Sequence, residues 1–298
     1  MKPIAATQPE RLGSDPMAEL LRLAAFTLDP AGGNPAGVWL GPEMPTIAEM
    51  QSIAADVGYS ETAFLAPDGT GRPEAYRVRY FSPVAEVPFC GHATIASGVA
   101  LAEQTGPARF LLTANGGLIT VDTERDPDGR LRATLTSVPP RVHDADPELV
   151  IDALAALRWP LDALDVALPP AVAYAGARHL ILASRTYEGL RDLDYDFEQL
   201  RSIMLTADLT TLQLVWREAT DRFRARDPFP VGNVVEDPAT GAAAAALGAY
   251  LRWRGELRPP ARFTISQGVE IGRPSLIEVE VPADTGGIRV SGTAVSLV

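Results

Sequence analysis

Glu61 is the carboxylate in the sequence whose setting best suits proton-transfer chemistry. It lies in the segment GYSETAF, at a predicted loop-to-strand junction between Tyr59 and Phe64. A carboxylate held among apolar side chains serves as a general acid or base in many active sites, so we expect Glu61 to be partly buried and unpaired at a cleft. The competing interpretation is an ordinary strand-end carboxylate in a surface ion pair.

Two sharp turns, PFCGHAT and EDPATGA, each precede a predicted helix that begins with a glycine. Pro88 and Pro238 prevent either helix from extending backward, and Gly91 and Gly241 let the backbone approach a bound group closely. The free N–H groups of a helix start bind carboxylates or phosphates, helped by the positive end of the helix dipole. Two such starts facing each other across a cleft would hold one small acidic substrate. The competing interpretation is a pair of capped turns.

Asp237 and His92 lie in these turns and are the other candidate catalytic residues. Asp237 precedes Pro238, where its carboxylate is placed to cap the second helix and also to orient a substrate. His92 is the second residue of the first helix, where its ring is placed to donate a hydrogen bond to substrate. The alternatives are capping alone for Asp237 and, for His92, a buried ring satisfied by a backbone carbonyl.

Cys90 precedes the first helix, and a helix N-terminus favours a reactive thiolate. A two-thiol racemase needs a second cysteine at the opposite helix start, but the sequence contains one cysteine in all. We therefore expect Cys90 to be a small buried residue that is dispensable for activity. The three histidines, His92, His143 and His179, are not closely spaced, so no metal site is predicted.

A weak internal duplication relates the two turns. Residues 91–101 (GHATIASGVAL) align with residues 241–251 (GAAAAALGAYL) at an offset of 150, which is 241 − 91. Residues 50–65 align with residues 200–215 at the same offset, residues 76–83 with 223–230 at 147, and residues 108–116 with 261–268 starting at 153. Four matches in one order indicate two similar units rather than a chance match of Ala-rich helices. Thr211 is the counterpart of Glu61, so one half alone holds the ionisable group.

The duplication predicts an α/β (α+β) chain of two pseudo-symmetric halves. Each half reads as strand, helix, two strands, a helix of small residues, and further strands. The two small-residue helices lack a polar face and are therefore expected to be buried, each wrapped by a curved, mostly antiparallel, barrel-like sheet. We divide the chain into a flexible extension (residues 1–16), a first half (17–128, joined by C-terminal strands in 285–298) and a second half (129–284).

Composition excludes several classes of function. A formal net charge of −12 argues against a nucleic-acid-binding protein, and no stretch has the roughly 18 apolar residues of a membrane span. One cysteine excludes an intrachain disulfide and fits a reducing cytoplasm. No Gly-rich dinucleotide fingerprint or P-loop is present, so we expect no cofactor.

These segments together resemble the phenazine-biosynthesis isomerase (PhzF-like) family, which has the diaminopimelate epimerase-like fold. The motifs that carry the resemblance are GGNPAGVWL, SETAF, YFSPVAEVPFCGHAT, EDPATGAAAAALGAYL and QGVEIGRPS, and they occur in the family's order from Phe26 onward. Each motif is weak alone, but five in order form a strong match. The resemblance implies a site between the halves, a small carboxylate-bearing substrate, no cofactor and a homodimer.

The resemblance also implies roles for individual residues. It assigns the moving proton to Glu61, substrate-site roles to His92 and Asp237, and a place in the substrate site to Asn34 of GGNPAGVWL. One position departs from the family, because Ala242 stands where the family has a serine that bonds substrate. The alternative to a cofactor-independent isomerase or epimerase is therefore a non-catalytic small-molecule binder or structural homodimer that kept the fold.

Overall fold

The computed structural model describes residues 18–297, so the predicted N-terminal extension, residues 1–16, and Met17 lie outside the described residues. In chain order the first elements are β1 (Glu19–Ala25), β2 (Asn34–Leu40), α1 (Ile47–Val57), β3 (Glu61–Pro67), β4 (Ala75–Phe81), β5 (Glu86–Val87), α2 (Gly91–Thr105), β6 (Arg109–Ala114), β7 (Gly117–Arg125) and β8 (Leu131–Thr136). The following elements are β9 (Arg141–Asp144), α3 (Pro147–Ala156), β10 (Ala171–Tyr174), β11 (Arg178–Ala183), α4 (Tyr187–Arg191), α5 (Phe197–Thr206), β12 (Thr211–Ala219), β13 (Arg222–Phe229), β14 (Val234–Asp237), α6 (Gly241–Arg254), β15 (Ala261–Gln267), β16 (Ser275–Val281), β17 (Arg289–Gly292) and β18 (Ala294–Ser296).

The strand pairing repeats along the chain. β2 pairs with β3 in parallel, β3 with β4 antiparallel, β4 with β6 in parallel, and β6 with β7 and β7 with β8 antiparallel. β11, β12, β13, β15, β16 and β17 repeat this series with the same directions. The predicted fold class, a duplicated α/β chain of curved and mostly antiparallel sheet, is confirmed.

Strands from the C-terminal end join the two parts of the sheet. β17 pairs with both β16 and β8, and β18 pairs with β1. β8 follows residue 128, yet it pairs with β7 and packs against α2. The division of the chain at residue 128 stays a prediction.

The two central helices, α2 and α6, are buried along most of their length. Small residues are required there because the surrounding strands come very close. A Cβ added at Gly98 would lie 2.6 Å from Val121 Cγ1, and one added at Gly248 would lie 2.9 Å from Ile288 Cγ2. These two glycines are equivalent in the duplication, and the equivalent strands β7 and β16 approach them, since the Cβ added at Gly248 would also lie 3.1 Å from Val279 Cγ1 of β16.

The outer faces of the sheet are covered by the remaining helices. Thr46 and Glu49 form a capping box that fixes the start of α1, and Met50 of α1 packs with Phe64 and Phe81 beneath it. α3 and α5 cover the corresponding face near β11 and β12 with a separate apolar cluster. Within residues 18–297, every helix falls short of the length and apolar content needed to cross a membrane.

Candidate functional site

The N-termini of the two central helices meet. The helices begin at Gly91 and Gly241, as predicted, and a Cβ added at Gly91 would lie 3.8 Å from both Gly241 Cα and Ala242 N. Neither N-cap residue, Cys90 or Thr240, bonds its side chain to the first turn. The first-turn N–H groups of both helices therefore lack a side-chain cap at the place where the two halves touch.

Glu61 lies beside the first of these helix starts. It is the first residue of β3, and 15% of its side chain is exposed. Its Oε2 lies 3.4 Å from His92 Nε2 and accepts from the Cys90 thiol at 3.5 Å. The structure thus agrees with the expected partial burial. It differs from the expectation of an unpaired carboxylate, because α2 begins directly opposite β3 and turns both side chains toward Glu61.

His92 is buried and links Glu61 to a second polar side chain. Its Nδ1 lies 3.2 Å from Asn34 Nδ2, and its Nε2 lies 3.4 Å from Ser60 Oγ. An amide nitrogen cannot accept a hydrogen bond, so this contact favours the neutral tautomer of His92 that carries its hydrogen on Nε2 rather than on Nδ1. That hydrogen is on the side of Glu61. His92 is therefore placed to donate to the carboxylate rather than to be satisfied by a backbone carbonyl.

Asn34 bridges parts of the chain that are more than two hundred residues apart. Its side-chain nitrogen donates to Asp237 Oδ1 at 2.7 Å and to the Ala239 carbonyl at 3.0 Å, in addition to its contact with His92. Asn34 is 1% exposed. The side chain of Asn34 therefore links α2 to the turn before α6. Its predicted contact with substrate stays a prediction.

Asp237 ends β14 and is held by two side-chain donors. Oδ1 accepts from Asn34, and Oδ2 accepts from the Thr240 hydroxyl at 2.6 Å. Burial raises the pKa of Asp237 to about 6, against the opposing effects of His92, Thr240 and Asn34. The interpretation of Asp237 as the cap of α6 is wrong, because Pro238 and Ala239 separate it from the helix and Thr240 is the N-cap residue.

Cys90 is buried against the side chains of Glu61 and His92. Its sulfur lies 3.4 Å from His92 Nδ1, and burial together with the charge of Glu61 raises the pKa of the thiol well above its usual range. Donor atoms of Glu61, Cys90 and His92 all lie within 4.8 Å of one another. The Cys90 contacts with Glu61 and His92 make these three side chains a hydrogen-bonded cluster. The absence of a metal from the site stays a prediction.

Arg273, in the segment QGVEIGRPS, closes the loop beside Asn34. Its Nε donates to the Gly33 carbonyl at 2.9 Å and a terminal nitrogen donates to the Gly32 carbonyl. The Gly33 N–H in turn donates to the Pro274 carbonyl at 3.0 Å. These bonds tie the β1–β2 turn to the β15–β16 loop and fix the position of Asn34, the residue that follows Gly33.

A matching ion pair anchors the segment before each helix start. Arg79 bonds both oxygens of Glu86 at 2.7 and 2.6 Å, and Arg226 bonds both oxygens of Glu236 at 2.8 and 2.6 Å. Glu86 and Glu236 are 150 residues apart, at the offset of the duplication. The two turns therefore share this ion pair, while residues at other positions differ, such as His92 and Ala242.

Asp227 is a buried carboxyl that the sequence reasoning missed. It is 0% exposed, it lies opposite Asp237 in the β13–β14 register, and neither carboxyl oxygen has a hydrogen-bond partner within the described residues. Burial, with the nearby charge of Asp237, raises its pKa well above the usual range. The alternation Phe223, Ala225, Asp227 was the available signal, since it places Asp227 on the buried face of a strand.

A cavity of about 300 Å³ adjoins the start of α6. It is lined by Pro88 and Phe89, by Gly241, Ala242 and Ala245, by residues 116–119, 135–138 and 174–176, and by Ala114 and Val290. Glu61, His92 and Asp237 do not line it. The cluster of polar side chains and the cavity are thus two separate features, and the cavity is lined by the start of α6 and by Pro88 and Phe89 of the segment before α2.

Comparison with protein families places these features among known proteins. The family model described as phenazine biosynthesis-like protein matches residues 23–298. An uncharacterized isomerase of Bacillus subtilis is 32% identical over 290 residues, covering 93% of this chain and 96% of the relative. The trans-2,3-dihydro-3-hydroxyanthranilate isomerase of Pseudomonas chlororaphis is 32% identical over 278 residues, covering 91% and 94%.

Solved structures show the same fold. A phenazine biosynthesis protein of the PhzF family from Bacillus anthracis has a TM-score of 0.83 at 24% identity, covering 95% of this chain and 97% of that structure. A protein described as a predicted epimerase from Pseudomonas aeruginosa has a TM-score of 0.80 at 25% identity, covering 94% and 96%. A hydroxyproline epimerase from Agrobacterium vitis has a TM-score of 0.63 at 15% identity, covering 95% and 91%, so the fold extends beyond the first two.

Proposed function

The chain belongs to the phenazine biosynthesis-like family and is an isomerase, and on that premise we propose that Glu61 moves a proton on a small carboxylic-acid substrate. The observation that carries the proposal is the continuous series of side chains that runs from Glu61 through His92 and Asn34 to Asp237. The series joins the start of β3 to the end of β14. It gives Glu61 a fixed orientation beside the paired helix starts.

The proposed reaction needs one group that both accepts and returns a proton. Glu61 takes a proton from a carbon of the substrate, the electron pair of the broken C–H bond moves into the conjugated acid, and the proton returns to a different carbon or face. The 15% exposure of Glu61 leaves part of the carboxylate open to substrate. The hydrogen on His92 Nε2 faces the Glu61 carboxylate and stabilises its ionised form. His92 keeps this hydrogen throughout the reaction, and only Glu61 gains and loses a proton.

The substrate carboxylate is proposed to bind at the paired helix starts. Gly91 and Gly241 present first-turn N–H groups without side-chain caps, which is the arrangement that binds anions at helix N-termini. Ala242 offers no hydroxyl at this place, so here the backbone alone contacts the carboxylate from the second helix. Ionised Asp237 accepts from Asn34, and Asn34 contacts His92, so in this proposal Asp237 acts through these side chains and does not touch the substrate carboxylate.

The names of relatives suggest a first candidate substrate. Several relatives are named for trans-2,3-dihydro-3-hydroxyanthranilate, a small carboxylic acid, and this compound is the first candidate to assay. The proposed role of Glu61 requires a carbon acid that exchanges with solvent. Assembly as a homodimer, which the family resemblance implies, remains part of the proposal.

Deuterium exchange tests the proposal directly. The protein is incubated in deuterium oxide with candidate acids, and incorporation at carbon is followed by proton NMR and mass spectrometry. The proposal expects incorporation by the parent protein, loss of it in Glu61→Gln, and no sensitivity to thiol alkylation. A two-thiol racemase would lose exchange on alkylation, and a non-catalytic binder would bind an acid without any exchange in the parent.

A further inference from the structure

Asp227 and Gln213 form a buried polar pair in the second half that the proposed proton transfer does not use. β12 pairs Leu214 with Arg226, so the next step of this antiparallel register sets Gln213 opposite Asp227. Both side chains are 0% exposed. Within residues 18–297, neither amide atom of Gln213 and neither carboxyl oxygen of Asp227 has a hydrogen-bond partner. Buried polar atoms without partners are rare in native structures, so each of them calls for an explanation.

The duplication does not account for Asp227. Its counterpart in the first half is Tyr80, at the offset of 147, which is 227 − 80. The hydroxyl of Tyr80 is satisfied, because it lies 2.7 Å from Thr94 Oγ1 in α2. The counterpart of Thr94 in α6 is Ala244, which has no hydroxyl. The second half has therefore lost the contact between strand and helix that satisfies this position in the first half, and it carries a carboxyl there instead.

The Asp227 carboxyl lies beside the turn that holds Asp237. The two residues are opposite each other in the register of β13 and β14. The Thr240 hydroxyl donates its one hydrogen to Asp237 Oδ2 at 2.6 Å, and its oxygen accepts from Gln267 Nε2 at 3.1 Å. A hydroxyl oxygen accepts two hydrogen bonds, so one acceptor position on Thr240 remains. Burial raises the pKa of Asp227, and the nearby Thr240 hydroxyl is the largest opposing influence, which places Thr240 next to this carboxyl.

The surroundings of Asp227 favour its neutral form. After burial, the charges of Asp237 and Glu236 also raise its pKa. Arg226, the preceding residue of β13, points to the other face of the strand and bonds both oxygens of Glu236. Toward β11, burial lowers the pKa of His179 to about 3, so that ring is uncharged as well. A buried carboxylate without a cation or a donor is costly, so Asp227 keeps its proton and has a hydrogen to donate.

We propose that Asp227 is a positioning residue for the reaction: as a neutral acid it donates to the Thr240 oxygen and keeps the Thr240 hydrogen directed at Asp237. This inference rests on the proposed function and adds a residue outside the series of side chains that ends at Glu61. Asp227 touches no substrate and keeps its proton throughout. It acts by stabilising ionised Asp237, which in turn accepts from the next side chain of the series.

Substitutions at Asp227 separate its hydrogen-bond donor from its charge. Asp227→Asn is neutral at every pH and keeps a donor, whereas Asp227→Leu is neutral and has none. Asp227→Ala also lacks a donor and takes the place of the leucine variant if chemical denaturation shows that Asp227→Leu does not fold. Tyr80→Phe is the matched control, because it removes a buried hydroxyl from the equivalent position of the first half.

Carbon-13 NMR of protein labelled at the aspartate carboxyl carbons measures the titration of Asp237, whose signal is identified by its loss in Asp237→Asn. We expect Asp237 to titrate at about pH 6 in the parent and alike in Asp227→Asn and Tyr80→Phe. In Asp227→Leu the pKa of Asp237 should rise by about half a unit or more, because Thr240 is held less firmly against the ionised carboxylate. A lower pKa of Asp237 in Asp227→Leu, no change in it, or an equal rise in Asp227→Asn would overturn the inference.

A double-mutant cycle tests whether Asp227 acts through Thr240. Thr240→Val removes the hydroxyl and should itself raise the pKa of Asp237, since it removes a direct donor. In that background Asp227→Leu should cause no further shift, because the group that transmits its effect is gone. A shift of the same size with and without the Thr240 hydroxyl would show that Asp227 acts on Asp237 directly, and the inference would fall.

The titration of Asp237 requires no catalysis, so its outcome is separate from that of the proposed function. Unchanged deuterium exchange in Glu61→Gln would contradict the proposed proton transfer, while NMR still decides how Asp227 affects Asp237. With exchange lost in Glu61→Gln, the pH–rate profile of Asp227→Leu should move to higher pH together with the Asp237 titration, and that of Asp227→Asn should not move. A profile of Asp227→Leu that stays in place while Asp237 shifts would contradict the positioning role alone.

Discussion

Replacing Glu61 by glutamine removes the proposed base and changes little else. Glutamine has the same length and still accepts a hydrogen bond, so His92 Nε2 and the Cys90 thiol keep an acceptor nearby. Both contacts are long, at 3.4 and 3.5 Å, and 15% of the side chain is exposed. We therefore expect the free energy of unfolding to change by no more than about 1 kcal/mol.

The expected effect on rate is much larger than the effect on stability. General acid/base catalysis by a positioned side chain contributes about 10² to 10⁴ in rate, or roughly 3 to 5 kcal/mol of transition-state stabilisation. Glutamine cannot accept a proton at neutral pH, so the whole of that contribution should be lost. Binding of a substrate-like acid should persist, since the proposed carboxylate contacts come from the helix starts.

The assay compares Glu61→Gln with a matched loss of one carboxylate nearby. Glu86→Gln also removes a charge from the first part of the chain, but its carboxylate is bound to Arg79 rather than to the polar cluster. Single-turnover deuterium incorporation is measured for both variants and the parent, with chemical denaturation as the control for folding. A Glu61→Gln protein that exchanges deuterium within a few-fold of the parent rate would refute the proton-transfer reasoning.

Three further predictions follow from neighbouring groups. Cys90→Ala should keep activity within about tenfold of the parent by the exchange assay, because burial holds the thiol neutral. Turnover should rise as pH rises through about 6, where Asp237 ionises. Asn34→Leu removes a hydrogen-bond donor to that carboxylate, which raises the pKa of Asp237 and should move this limb of the pH–rate profile to higher pH by about one unit. The raised pKa of Asp227 makes folding take up a proton, so the stability that this group contributes is present at low pH and declines as pH rises above about 4. The stability of Asp227→Asn relative to the parent should therefore increase with pH, by at most about 1.4 kcal/mol per pH unit, in chemical denaturation measured at a series of pH values. A pH–rate profile that Asn34→Leu leaves unchanged would contradict the prediction for Asp237. Stability of Asp227→Asn that changes with pH in parallel with the parent would contradict the prediction for Asp227.

The sequence carried enough information to predict the two central helices and their relation. Their small residues repeat at a fixed offset, and small residues repeat because each half needs the same close approach at Gly98 and Gly248. Local rules also located the helix starts, since proline and glycine have fixed backbone consequences. The central helices and their first residues could therefore be predicted from the sequence alone, because they depend on short-range patterns.

Contacts between distant segments were not accessible in the same way. Asn34 reaches Asp237 and Ala239 from the end of the β1–β2 turn, which Arg273 ties to the β15–β16 loop. Capping by Asp237 was predicted from its nearness to α6 in sequence, but strand β14 ends at that residue and aims its side chain at Asn34 instead. Register is a property of the assembled sheet, so no local signal specifies these partners.

The duplication makes the asymmetry of the site informative. A symmetric pair of halves would place equivalent acids on both sides of a substrate, yet Thr211 stands opposite Glu61 in the alignment and bonds the buried His179 at 2.8 Å. Burial lowers the pKa of His179 to about 3, so the ring is neutral and too weakly basic to hold a proton at physiological pH. The second half therefore offers no substitute base at the equivalent position. In the proposed mechanism a single carboxylate both removes and returns the proton, which requires the substrate to be held fixed while the proton resides on Glu61.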